Sequence, residues 1–358
     1  MLRFSLAQMC EDQESSTYLK GEPAAQLSKE SHGTRICKLA FSPEGSRLAV
    51  STIAGGLGLT NLATGKSQTL QEGPVGSVRQ LVFSPIGSSL AFVGKDALVR
   101  SWNWETGVLS GSSELDTEAF RSLAISRDGR LIAVGTFCGR IVIWDQIDAQ
   151  PLTWFGQLRP VNNVAFSPNG RVLAAADSLG ALTMWDLASG QTLASVQTPL
   201  AAVVAMEFSP DGSRISTLSY QERIVRVWDA KSGAFLCSLP TVAVPCEINA
   251  IAYSPNGLMV AVARADGVAE LLDATSGRVI SSVRKGRSLT AVAFSPDGTQ
   301  LATGDSEGMA RLWDLNKWLG VNVARTTLQP LGEPQARFVG EISSPRRTQG
   351  VSTGLGTQ

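Results

Sequence analysis

Few side chains in this sequence are equipped for acid–base or metal chemistry, and those few are scattered. The 358 residues include one histidine, His32. An imidazole works as a general base beside a nucleophile, and no serine here stands in a nucleophile-elbow context, so His32 reads as a packing or capping group. The five cysteines, Cys10, Cys37, Cys138, Cys237 and Cys246, form no Cys-x-x-Cys pair. With a single histidine they cannot assemble a structural zinc site. Cys237 and Cys246 lie nine apart and are expected as buried free thiols. Gly65-Lys66-Ser67 mimics the end of a phosphate-binding loop, but Thr60 stands where its first glycine belongs, and the context is a strand turn. The expectation is no catalytic residue, no metal and no cofactor.

Chemistry of recognition is better represented. Arg79, Arg121, Asn162, Asn249 and Thr290 each stand four residues before a recurring aromatic or aliphatic anchor, and Lys95, Phe137, Phe155 and Arg159 lie in nearby loops. Arginine and aromatic side chains are enriched at interaction hot spots. Arg79, Lys95, Arg121, Phe137, Phe155 and Arg159 are therefore the candidate partner-binding residues. Glu222, Glu247, Asp266, Asp305 and Glu307 give the later part of the chain a more acidic face, with Arg264, Lys285 and Arg287 mixed in.

The elements that position these residues repeat. The anchors are Phe41, Phe83, Ile125, Phe166, Phe208, Tyr253 and Phe294, at gaps of 42, 42, 41, 42, 45 and 41 residues. Each opens a Ser-Pro-x-Gly turn, with Arg127 replacing proline in the third unit. Proline presets the second turn position and glycine accepts a positive φ at the last. Twenty residues after the anchor (21 in the fifth unit) comes Asn61, Asn103, Asp145, Asp186, Asp229, Asp273 or Asp314. Tryptophan precedes it at Trp102, Trp144, Trp185, Trp228 and Trp313. Apolar and β-favouring runs between these marks predict four short strands per unit. One such small sheet cannot bury both faces alone, so the units must stack on one another.

A period near 42 with Trp-Asp pairs resembles the WD-repeat β-propellers, over roughly Thr34 to Leu315. The resemblance implies an all-β, seven-bladed β-propeller of four-stranded antiparallel blades. It implies a non-enzymatic protein–protein interaction scaffold, with partners docking where loops lead into the first strands and where second strands turn into third. It also implies a structural role for the five tryptophans and the following Asp or Asn. The family's Gly-His and turn-Asp network is mostly missing. His32 follows Ser31, and the turn carboxylate survives as Asp96 and Asp266, with Glu222 and Glu307 as substitutes. The first unit, with Ala54-Gly55-Gly56-Leu57-Gly58, departs furthest and is expected to be the least stable.

Residues 1–22 read as a flexible segment, 23–317 as the propeller and 318–358 as a mostly disordered tail. Two segments compete to complete the last blade: Ala24 to Lys29, which is preferred, and Leu319 to Val323. Thirty-one basic and 31 acidic residues leave no formal net charge, which argues against nucleic-acid binding and against a membrane-steering field. No apolar run is long enough to span a membrane, and the cysteine pattern fits an intracellular, cytoplasmic protein. The rival reading is a propeller-based hydrolase or lactonase acting at the central opening, for which convergent carboxylates, histidines or a metal would be required. Partners are expected to be other proteins or peptide segments.

Overall fold

The strands form where the anchors and turns place them. In the computed structural model of the chain, the described residues are 25–27, 34–71, 78–96, 98–114, 120–146, 150–156, 159–198, 202–219, 224–239, 246–284 and 287–319. His32, Glu222, Lys285, Cys10, residues 1–22 and the tail beyond 319 lie outside them.

Seven separate antiparallel sheets of four strands each make up the fold, and each sheet is one blade. Blade one comprises Ile36–Phe41, Arg47–Thr52, Leu57–Asn61 and Ser67–Gln71. Blade two comprises Gln80–Phe83, Ser89–Val93, Leu98–Asn103 and Val108–Glu114. Blade three has Phe120–Ile125, Leu131–Thr136, Arg140–Asp145 and Gln150–Gly156, and blade four Val161–Phe166, Val172–Asp177, Ala181–Asp186 and Thr192–Gln197. Blade five has Val203–Phe208, Arg214–Ser219, Val225–Asp229 and Phe235–Leu239, and blade six Ile248–Tyr253, Met259–Arg264, Val268–Asp273 and Val279–Arg284. Blade seven supplies Leu289–Phe294, Gln300–Asp305 and Ala310–Asp314. Its fourth place is taken by the N-terminal Ala25–Leu27, paired antiparallel with Ala25 opposite Leu312 and Leu27 opposite Ala310. One short helix, Leu315–Leu319, follows.

The core lies between the blades. Seven apolar clusters are present, each drawn from two neighbouring blades. Ile36, Leu39 and Leu48 of blade one pack with Ala302 and Leu312 of blade seven, which closes the ring through side chains as well as strand pairing. The anchor turns of neighbouring blades also abut. Gly45 has φ of 74°, and a β-carbon there would sit 3.5 Å from Pro296 Cδ across the ring junction. Removing residues 1–31 strips the pairing partner from Ala310–Asp314, so the melting temperature should fall by several degrees. An unchanged melting temperature would contradict this closure.

The Asp or Asn after the tryptophan position caps a turn in blades one, two and four to seven, whereas Asp145 of blade three accepts from Arg130 Nε at 2.6 Å. Asp186 Oδ1 accepts hydrogen bonds from the Ser189 amide at 2.8 Å and the Ser189 hydroxyl at 2.7 Å. Asp229 and Asp273 repeat the arrangement with Ser232 and Ser276. Asn61 and Asn103 do the same work on the Thr64 and Thr106 amides. A tryptophan hydrogen bond joins the second and third strands in blades five and seven, where Trp228 Nε1 donates to Thr217 Oγ1 at 2.8 Å and Trp313 Nε1 to Thr303 Oγ1 at 2.9 Å. Trp185, Trp228 and Trp313 are buried, whereas Trp102 and Trp144 are only half-buried against their clusters.

Candidate binding face at the channel mouth

The strand that begins each blade carries a defect that decides what faces the axis. In blades one and three to seven its register slips by one residue near the start, as between Ile36 and Lys38 or Phe120 and Ser122. A bulge of this kind leaves one residue outside the ladder and re-aims its side chain. The unpaired residues are Cys37, Arg121, Asn162, Val204, Asn249 and Thr290. Arg79 holds the same place in blade two, just before the ladder, with its amide on Val93 O at 2.9 Å. All seven line one cavity of about 470 Å3 at the axis, which also takes in Arg35, Lys38 and Lys95. The candidate position four before each anchor is thus a ring around a channel mouth.

The mouth is basic. Arg35, Lys38, Arg79, Lys95 and Arg121 line it together with no carboxylate. None of the five forms an ion pair among the described residues. Arg121 is held in place: its guanidinium donates to Asn162 Oδ1 and lies 4.9 Å from the centre of the Phe137 ring. Asn162 in turn donates to Val203 O at 3.4 Å, tying the arrangement to blade five. Arg79 and Arg121 both keep a buried Nε without a hydrogen-bond partner. Burial pulls the Arg79 pKa below its usual value, and repulsion from Arg121 adds to the shift. The Lys38 pKa is likewise lowered by burial, and that of the Cys37 thiol is raised by burial against the pull of Arg35, Lys38 and Lys95.

Several arginines elsewhere are already paired. Arg264 pairs with Glu270 and Asp266, Arg311 with Asp305 at 2.7 Å, Arg287 with Glu307 at 2.8 Å, and Arg100 with Asp96 at 2.5 Å. Asp266, Glu270, Asp305 and Glu307 of blades six and seven therefore serve their own arginines.

Of the six candidate residues, Arg79, Lys95 and Arg121 line the mouth and Phe137 braces it. Phe137 is half-exposed and sits in the turn between the second and third strands of blade three. Arg159 is exposed just ahead of Val161 and does not line the cavity. Phe155 falls on the last strand of blade three, opposite Ile141, and so belongs to the rim. Sequence reasoning missed Arg35, Lys38 and Glu207.

Glu207 lies deeper, in a second axial cavity of about 340 Å3. Its ring, one residue before each anchor, is otherwise Ala40, Val82, Ala124, Ala165, Ala252 and Ala293. Glu207 Oε2 accepts a hydrogen bond from the Tyr253 amide at 3.0 Å. Burial pushes its pKa up from 4.5 to about 8, against the pull of that bond. Between these two values the folded protein keeps a proton that the unfolded chain has released. Stability therefore falls as pH rises through the window, by at most about 1.4 kcal/mol per pH unit. Glu207→Gln should abolish that slope and melt above the parent at pH 8–9. Parallel melting curves from pH 5 to 9 for the two proteins would contradict it.

No group of three or more His, Cys, Asp or Glu able to hold a metal is present among the described residues. No helix among them is long and apolar enough to cross a membrane.

Comparison with known proteins agrees with this architecture. The family described as "Nucleolar protein 10-like, N-terminal domain", a β-propeller, matches residues 74–271, more than half of the chain, and "WD domain, G-beta repeat" matches residues 278–314. Telomerase protein component 1 of Mus musculus is 25% identical over 261 residues, covering 73% of this chain and 10% of that protein. Angio-associated migratory cell protein of Homo sapiens is 25% identical over 210 residues, covering 58% of this chain and 48% of that protein. THO complex subunit 3 of Arabidopsis thaliana is 22% identical over 259 residues, covering 71% and 81%. The chain thus spans a tenth to about half the length of the first two. Matched over residues 74–271 and 278–314 and built of seven repeated blades, the chain belongs to the WD-repeat β-propeller family.

Proposed function

We propose that this propeller is a non-enzymatic interaction scaffold that receives an acidic segment of a partner protein at the channel mouth. The observation that carries the reading is the set of five cationic side chains lining the mouth with no carboxylate among them. Such an unbalanced patch attracts and orients an anionic partner even when the whole chain is neutral. Arg79, Lys95 and Arg121 supply the charge, and Phe137 offers an exposed aromatic face beside it. The free cysteines Cys37, Cys138, Cys237 and Cys246 fit a reducing compartment, and we place the protein in the cytoplasm.

The test is a double charge reversal, Arg79→Glu with Arg121→Glu, in a pull-down from native lysate. Both side chains face the cavity, so the fold should persist. Acidic partners should be lost from the captured set. An unchanged set with the fold intact would sink the reading. The hydrolase alternative predicts turnover in a broad hydrolase screen with added divalent metals, and no described residue cluster favours it.

A further inference from the structure

Below the mouth the channel does not end. The mouth, about 470 Å3, and the second cavity, about 340 Å3, share Cys37, Lys38, Asn249 and Thr290 and so adjoin one another. Small-molecule sites occupy roughly 300–1,000 Å3 and set a few placed polar groups in an otherwise apolar wall. The inner chamber falls in that size range, with a lining richer in polar groups. Half of its lining is Ala, Leu, Ile and Val, and Lys38, Gln80, Asn163, Glu207, Asn249, Tyr253 and Thr290 bring polar atoms to the rest.

We propose that the channel binds a small phosphorylated molecule, with its phosphate between Arg79 and Arg121 and its polar body among Gln80, Asn163 and Glu207.

The phosphate end follows from the arginine pair. Arg79 and Arg121 are neighbours in the bulge ring, each has a buried Nε without a partner, and their mutual repulsion is relieved by no acid. Guanidinium forks match the geometry of phosphate oxygens, and a dianion offsets two cations where a single carboxylate offsets one. Arg121 is already oriented by Asn162 and Phe137, so little freedom is lost on binding. Lys38 borders both cavities and gives a third cation at the junction.

The body end follows from groups whose hydrogen-bonding capacity the scaffold uses only in part. Asn163 donates Nδ2 to Val203 O at 2.9 Å, which fixes the amide and leaves Oδ1 as an acceptor. Gln80 makes no side-chain hydrogen bond among the described residues. Glu207 forms no ion pair among the described residues and stands in a ring that is Ala or Val in every other blade. Held protonated at neutral pH, it donates as well as accepts. Polar groups placed this far behind the phosphate site suit a free molecule with hydroxyl or amide groups. A phosphorylated side chain on a segment crossing the face would leave them unused.

The proposal goes beyond the acidic-segment reading and shares Arg79, Arg121 and Lys38 with it. Calorimetric titration of the full chain separates the two. The probes are glucose 6-phosphate, glycerol 3-phosphate and adenosine monophosphate, with glucose, inorganic phosphate and a phosphoserine peptide as references. At least one phosphorylated probe should bind saturably, about tenfold tighter than inorganic phosphate. Arg79→Gln should weaken that probe about tenfold, and Gln80→Leu should weaken it while leaving inorganic phosphate unaffected. Circular dichroism checks that both variants fold. Failure of all three probes to bind would overturn the proposal, as would inorganic phosphate binding as tightly as the best of them. Tighter binding of the phosphoserine peptide would also overturn it and assign the mouth to a protein segment. Gln80→Leu leaves the pull-down partners untouched, so loss of small-molecule binding with retained partners marks failure of neither reading for the other's reason.

Discussion

Replacing Glu270 by leucine destabilises the propeller by about 3–5 kcal/mol, because it strands a charge inside blade six. Arg264 is 1% exposed and ends the second strand of that blade, while Glu270 is fully buried on the third. The guanidinium donates one nitrogen to Glu270 Oε1 and another to Asp266 Oδ2 at 2.6 Å. Burial works against the arginine charge, and the Glu270 and Asp266 carboxylates more than offset it, so the Arg264 pKa rises. Without Glu270 only the partly exposed Asp266 remains to balance a buried cation. Urea unfolding should show the full loss in Glu270→Leu and recovery in the double variant Arg264→Met with Glu270→Leu, since a well-packed apolar pair replaces a buried ion pair at little cost. Equal destabilisation in single and double variants would show that packing volume, not charge, sets the effect.

Trp313→Ala costs a similar amount, roughly 3–5 kcal/mol. The indole is 4% exposed in the cluster between blades six and seven, beside Ala261, Leu271 and Leu315. Its centre lies 5.9 Å from that of Trp318, brought in by the short helix after the last strand. Truncation empties a large cavity, loosens Trp318 and leaves Thr303 Oγ1 without its donor. Trp102→Ala should cost clearly less, since Trp102 is half-buried and its Nε1 has no partner. Chemical denaturation of the two variants side by side checks the order. Equal losses would contradict the claim that hydrogen-bonded, buried tryptophans carry more of the inter-blade packing.

The fold was legible because each unit repeats its punctuation at a fixed spacing. Ser-Pro-x-Gly marks the end of a first strand, and outside blade three the Asp or Asn twenty residues on caps the next turn, as Asn61 shows even where its tryptophan is replaced by Thr60. The candidate site was legible in part. Arg79, Arg121, Asn162, Asn249 and Thr290 stood out by their constant offset, but the same offset holds Cys37 and Val204, which complete the ring. Lys38 was missed for a geometric reason. Strand alternation would send residues 37 and 38 to opposite faces, whereas the bulge turns both to one cavity. Glu207 carried a usable signal, one carboxylate in a ring of Ala and Val, that a comparison across the seven units would have exposed. Phe155 went to the rim because neighbouring loops in sequence need not share a face of the disc. The Trp228–Thr217 and Trp313–Thr303 bonds show that part of the polar network is retained where the His and Asp are missing.

The central claim is that partners dock at the basic mouth. Ile53 lines that mouth, is 50% exposed and carries no charge, so a photo-crosslinking benzoylphenylalanine there leaves all five cations in place. Phe235, 53% exposed on the outermost strand of blade five, is the rim control. After irradiation in native lysate, mass spectrometry should map adducts at position 53 to acidic segments of partner proteins, and Arg79→Glu with Arg121→Glu should erase them. Adducts confined to position 235, or adducts at position 53 that survive the charge reversal, would contradict the account.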